Sequence, residues 1–207
     1  GMIAIDVMTG LYAYQAVAPA MLRRFRFGKG RYIDCSLMQS AAAFQAAKIM
    51  EHRLEGGTPM VLYMPIGTMK TVDGFINITA MRDRHYVSLC EVLGLEELID
   101  DPRFDNRDKR VERADELMPI IRAEFTKKTT AEWAELLTEA GVMNAPVANY
   151  DDFMGDEHVQ ATNSFVLNEQ PGVGEVPLIN IPGLDPIQPG SALSESPSVG
   201  QHSASIL

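Results

Sequence analysis

The first candidate for chemistry is an acidic side chain set just ahead of a long apolar run, Asp6 in Ile5-Asp6-Val7-Met8-Thr9-Gly10. At the start of a helix, free backbone N–H groups and the helix dipole favour negative charge, so a carboxylate there fits two roles. It can cap the helix, or it can stay ionised and attack a carbonyl. Residue type and position leave both open. Other sources of chemistry are sparse. The four histidines, His52, His85, His158 and His202, lack the i, i+4 or short-gap spacing that lets two of them grip one metal, so no metal is expected. No GxSxG elbow, P-loop or GxGxxG occurs, which removes the common signatures of serine hydrolases, nucleoside triphosphatases and dinucleotide binders.

The elements that position Asp6 are legible from patterning. Residues Val7 to Phe27 are rich in alanine and leucine and end at Gly28, a left-handed helix stop, which predicts a largely buried helix. Arg31-Tyr32-Ile33-Asp34-Cys35-Ser36 alternates polar and apolar side chains as a short strand does, and Leu37 to Leu54 returns to a helical pattern. Gly56-Gly57-Thr58-Pro59 marks a junction, after which composition shifts. Beyond it, Thr68–Thr71 and Phe75–Ala80 flank Val72-Asp73-Gly74, a hairpin signal. Helices are expected at Asp83–Leu93, Val111–Phe125 and Ala131–Ala140, the last introduced by the capping-box spacing of Thr129 and Glu132. From Val166 onward prolines and glycines recur without periodicity, which predicts an extended connecting tail.

The resulting expectation is an α/β protein. Residues 1–55 form part of a large open-sheet domain, 56–165 a smaller α+β domain with a hairpin and several helices, and 166–207 the tail. A chain of 207 residues with 46% hydrophobic and 22% charged side chains has material for a real core. Its formal net charge of −10 argues against nucleic acid or an anionic membrane surface as partner, since phosphate binding needs a basic face. No apolar run is long enough to span a bilayer. Cys35 and Cys90 lie far apart without a CxxC pattern and read as reduced thiols of a cytoplasmic protein.

The opening segment through Gly28-Lys29-Gly30-Arg31-Tyr32-Ile33-Asp34-Cys35-Ser36-Leu37 resembles the class III CoA-transferases, the family of formyl-CoA transferase, carnitine CoA-transferase and α-methylacyl-CoA racemase. Arg31 stands where the family usually has Gln. The likeness continues through Asp73-Gly74, His85-Tyr86, Asp101-Pro102-Arg103-Phe104, Arg110, Thr130-Ala131-Glu132-Trp133, Gly141 to Val147 and Val199-Gly200-Gln201-His202. The resemblance implies that Asp6 is the catalytic aspartate, carrying CoA as an aspartyl thioester, with an acyl-CoA and a carboxylic acid as substrates. It also implies that Gly56 and Gly57 match the glycine-rich loop that closes over the site, although a plain linker fits those residues equally well. Ala80-Met81-Arg82-Asp83 carries Arg82 near where the racemase branch has a Glu, which favours transferase over racemase.

Family members run to about twice this length, and their first half carries the CoA cradle. The chain is therefore expected to be a carboxyl-terminal part, inactive alone. It would work as a homodimer or with a chain supplying the other half, or else persist as a non-catalytic binding domain.

Overall fold

The computed structural model describes residues 3–57, 61–191 and 194–207. The chain divides into two compact units, Gly1–Leu62 and Tyr63–Leu207.

The first unit is helical throughout its described elements: α1 (Ala4–Phe27), α2 (Leu37–Phe44) and α3 (Ala46–Leu54). Gly28 ends α1 at φ 67°, donating its N–H to the Arg24 carbonyl at 2.8 Å, as the sequence predicts. Three expectations fail here. Residues 31–36 are not a strand, because no partner strand lies alongside them among the described residues. Ser36 instead caps α2, its hydroxyl accepting from Gln39 N–H at 3.1 Å. Nor is α1 buried: Val7 is 61%, Tyr14 74% and Phe25 79% exposed, since nothing within this unit covers that face. The helix foreseen over Leu37–Leu54 breaks at Gln45, which ends α2 and opens α3.

The second unit holds the core. Strands β1 (Ile66–Lys70) and β2 (Phe75–Thr79) form the hairpin, pairing from Ile66 opposite Thr79 to Lys70 opposite Phe75. After α4 (Asp83–Leu93) and a 3-10 turn at Glu96–Leu98 come α5 (Arg107–Glu112), α6 (Ala114–Phe125) and α7 (Thr130–Glu139). Strand β3 (Met143–Pro146) then joins the free edge of β2, antiparallel, with Thr79 opposite Met143. Alternation drives Ile76 and Ile78 of β2 inward, where they meet Leu89 of α4, Leu117, Ile121 and Phe125 of α6, and Trp133 and Leu137 of α7 in one cluster. Trp133 donates its indole N–H to the Phe125 carbonyl at 2.8 Å and packs 5.0 Å from the Phe125 ring. The capping box forms as the sequence predicts: Thr129 accepts from the Glu132 N–H, and Glu132 accepts from the Thr129 N–H at 2.8 Å.

The hairpin loop is more than a turn. Asp73 Oδ1 accepts from the Thr130 N–H at 2.8 Å and its hydroxyl at 2.9 Å, so the loop satisfies donors in the first turn of α7. These bonds hold the Asp73 carboxyl below the usual carboxylate range.

After α8 (Tyr150–Gly155) and α9 (Glu157–Ala161), part of the segment expected as an extended connecting tail pairs as a second antiparallel hairpin, β4 (Phe165–Gln170) and β5 (Gly174–Ile179). Asn168 is buried there, donating to the Ser194 carbonyl at 3.0 Å and accepting from Gly190 N–H at 2.9 Å. A short α10 (Ser203–Ile206) follows. No helix among the described residues is long and apolar enough to cross a membrane.

Candidate functional site

Asp6 is the third residue of α1 and is exposed. Ile3 stands at the N-cap with no side-chain hydrogen bond, and the Asp6 carboxylate makes no hydrogen bond or ion pair among the described residues, so it does not act as a cap here. Thr9, one turn on, donates its hydroxyl to the Ile5 carbonyl at 2.8 Å. What the first unit offers at this end is therefore an unengaged carboxylate held on a rigid helix, within the turn where the dipole favours negative charge. Both properties suit a carboxylate nucleophile.

The same unit has a cleft of about 190 Å³ lined by Tyr12, Asp34, Cys35, Ser36, Gln39 and Ser40. Gly56 and Gly57 close α3 at φ 68° and 92°, and Gly57 donates its N–H to the His52 carbonyl at 2.9 Å. A Cβ at Gly57 would lie 3.2 Å from the His52 ring, so both the backbone angle and the space select glycine. Thr58 and Pro59 of the junction lie outside the described residues. Among the described residues no hydrogen bond ties Asp6 to this glycine turn.

In the second unit, polar groups gather at the start of α4. Arg82 occupies the N-cap in extended backbone and makes no side-chain cap bond. Asp83 follows and pairs with the buried guanidinium of Arg110. That guanidinium also donates to the Phe104 carbonyl at 2.9 Å and the Met64 carbonyl at 3.3 Å, and lies 4.3 Å from the centre of the Tyr86 ring. Arg82 and Arg84 have no acidic partner among the described residues. His85 has a buried Nδ1 without a hydrogen-bond partner. Burial, then the charges of Arg84 and Arg82, push its pKa down. Below it, burial pushes the Cys90 thiol up to about 11, which removes it as a nucleophile at neutral pH. Sequence reading named Arg82, Asp83, His85 and Arg110 one by one, as marks of branch or family likeness, and did not group them. The signal available was three cationic-type side chains in four positions opening a helix.

Among the described residues no three His, Cys, Asp or Glu side chains converge as metal ligands do. A family model described as CoA-transferase family III matches residues 1–203. The chain belongs to CoA-transferase family III.

It is 32% identical over 216 residues to the succinyl-CoA:glutarate CoA-transferase of Mus musculus, covering all of this chain and 49% of that relative. It is 26% identical over 213 residues to the succinate–glutarate CoA-transferase of Agrobacterium fabrum, covering 53% of it. The crystal structure of a CAIB/BAIF family protein from Brucella suis superposes with a TM-score of 0.83 at 25% identity, over all of this chain and 55% of that one. The mixed α/β fold is thus that of the family. The chain spans about half the length of the curated relatives it matches.

Proposed function

We propose that this family III chain is one part of an enzyme that moves CoA between carboxylic acids, with Asp6 as the covalent carrier. The carrying observation is the unengaged Asp6 carboxylate in the first turn of α1, in a chain matched almost end to end by the family. In the first step an Asp6 oxygen attacks the acyl-CoA carbonyl, giving a mixed anhydride and releasing CoA thiolate. The thiolate attacks the aspartyl carbonyl, forming the Asp6–CoA thioester and freeing the donor as its carboxylate. The acceptor carboxylate then attacks the thioester, and CoA thiolate returns to the acceptor's acyl carbon, regenerating Asp6. Every bond made to Asp6 is later broken, and the thioester lost by the donor is regained by the acceptor, so no oxidant or reductant is consumed.

Short aliphatic diacids are the favoured substrates, on the strength of the relatives named for succinate and glutarate. The glycine turn at Gly56 and Gly57 serves as the cover that keeps water from the anhydride, in line with its two positive φ angles. The remainder of the CoA cradle comes from residues outside this sequence, either in a partner chain or in a homodimer of a longer polypeptide. The two free cysteines fit a cytoplasmic enzyme. Racemase chemistry is disfavoured by Arg82, whose guanidinium stays charged and cannot shuttle protons.

The test is trapping. Succinyl-CoA and hydroxylamine are added to the chain alone and to the chain co-expressed with a polypeptide supplying the preceding half of the family fold. The expected result is a hydroxamate on Asp6 in the combined sample, absent in Asp6→Ala, with little turnover by the chain alone because the transition state lacks its CoA contacts. Transfer that survives Asp6→Ala, or a hydroxamate on another carboxylate, refutes the assignment.

A further inference from the structure

Charge is segregated along this chain in a way that its net value conceals. Residues 7–33 carry five cations and no acidic side chain, whereas residues 129–207 carry eleven acidic side chains and neither lysine nor arginine. The five cations, Arg23, Arg24, Arg26, Lys29 and Arg31, gather at the end of α1 and in the turn after it. All are exposed, and none makes an ion pair among the described residues. Attraction to the helix C-terminus accounts for Arg24 and Arg26, which lie in the last turn of α1, but not for the other three. Phe25, Phe27 and Tyr32 stand among them, all largely exposed, and Arg23, Phe27 and Lys29 line a cleft of about 410 Å³. Arg23 lies seventeen positions after Asp6 on the same helix, roughly 25 Å away at the helical rise per residue, so this surface is remote from the reacting carboxylate. The acidic stretch is densest at α8 and α9, where Asp151, Asp152, Asp156 and Glu157 are exposed beside the exposed rings of Tyr150 and Phe153. Asp152 and Asp156 accept the N–H groups of Asn149 and Val159, while the carboxylates of Asp151 and Glu157 are unengaged among the described residues.

We infer that the basic, aromatic end of α1 in one copy of this chain docks on the acidic α8–α9 surface of a second copy. The two surfaces are complementary in charge and alike in carrying exposed rings. Guanidinium groups pair with carboxylates, and the faces of Tyr150 and Phe153 accept arginine side chains that the rings of the basic turn help to shield from water. A single exposed ion pair contributes little, so the contact rests on several acting together and on the ring area they enclose. A second copy is the occupant because the chain itself carries the complementary surface, present at the same concentration as the basic turn. Nucleic acid is a poorer fit, since a long polyanion at this turn also meets the field of a molecule with a net charge of −10.

Sedimentation velocity of the nuclease-treated 207-residue chain at low and high salt, with a charge-swap series, tests the inference. Association at low salt is expected to weaken at least about tenfold at high salt, because exposed charge pairs are screened. Arg23→Glu with Arg26→Glu, and separately Asp151→Lys with Glu157→Lys, should each weaken the low-salt association at least about tenfold, and all four substitutions in one chain should restore it. Unchanged circular dichroism certifies the fold of each variant, and recovery in the fourfold variant is a result that misfolding cannot imitate. Association indifferent to salt belongs to the apolar face of α1 alone and overturns the inference. So do an absence of association at low salt, undiminished association in either double variant, or a fourfold variant that stays dissociated. Single-stranded DNA held by the basic turn while the chains remain apart overturns it in favour of nucleic acid. The series involves neither CoA nor Asp6, so its failure and a failed trapping at Asp6 are separate results.

Discussion

Arg110 is the side chain whose loss should cost the second unit most relative to its modest role in the sequence pattern. Its guanidinium is 2% exposed. Truncation to alanine leaves the buried Phe104 carbonyl without its 2.9 Å donor, a loss of about 1–3 kcal/mol. It also removes the stacking at 4.3 Å on Tyr86, about 1–2 kcal/mol when desolvated. The ion pair with Asp83 adds less than about 1 kcal/mol, because that carboxylate is largely exposed. The bond to Met64 at 3.3 Å is long and falls at the low end of the scale. Together these put Arg110→Ala at about 3–5 kcal/mol, most of it from the unsatisfied carbonyl and the lost stacking. Urea unfolding followed by the fluorescence of the single tryptophan, Trp133, reads this directly, since that ring sits in the same core. Arg110→Met restores much of the volume but none of the hydrogen bonds, so it should recover only the packing share. If both variants fall within about 1 kcal/mol of the parent with an unchanged denaturant slope, the hydrogen-bond reasoning is wrong.

Three further outcomes are expected. Acidification should destabilise the second unit in two stages. The folded pKa of His85 and those of Asp73, Asp101 and Glu132 all lie below their ordinary values. The unfolded chain thus binds more protons, and stability is present above the unfolded values and lost as pH falls. The first loss begins below about pH 6.5 and the second below about pH 4; a urea midpoint that rises between pH 7 and 5 contradicts the His85 part. Trp133→Phe should cost about 1–3 kcal/mol by leaving the Phe125 carbonyl without the indole donor, measured by thermal circular dichroism; an unchanged melting temperature counts against it. The exposed apolar face of α1 should make the chain self-associate at micromolar concentration in sedimentation velocity, with Leu11→Glu and Phe25→Glu reducing the association; a monomeric parent chain refutes this.

Where local rules dominate, the sequence was a good guide. Gly28, the Asp83–Leu93 helix, the Asp73-Gly74 hairpin and the Thr129/Glu132 capping box all depend on neighbours within a few residues, and all are seen. What was misread depends on partners elsewhere. Arg31–Ser36 has strand alternation but no strand beside it among the described residues, and the α1 face has helical periodicity but no cover within its unit. The expected helix over Val111–Phe125 instead breaks at Arg113, which ends α5 and starts α6. Strand β3 is four residues long and ends in proline, too short for alternation to register. The β4–β5 hairpin was legible in principle from Pro171-Gly172 between two β-prone segments, but the many other prolines and glycines after Val166 masked it. Asp6 was placed correctly at the head of α1, whereas the polar group at Arg82–His85 emerges only from side chains left without partners.

The order of strands carries a consequence for how the chain is made. Strands β1 and β2 are adjacent in sequence and close quickly, but the far edge of β2 is filled by β3, which follows only after four helices. A ribosome adding roughly 5–20 residues per second takes several seconds to deliver β3. Throughout that interval the hairpin presents Phe75, Asn77 and Thr79 on an open hydrogen-bonding edge, the template on which nascent chains pair with one another. The β4–β5 hairpin faces no such wait, as its partners leave the ribosome together. Slowing synthesis between α4 and β3 should therefore lower soluble yield more than an equal pause placed after β3.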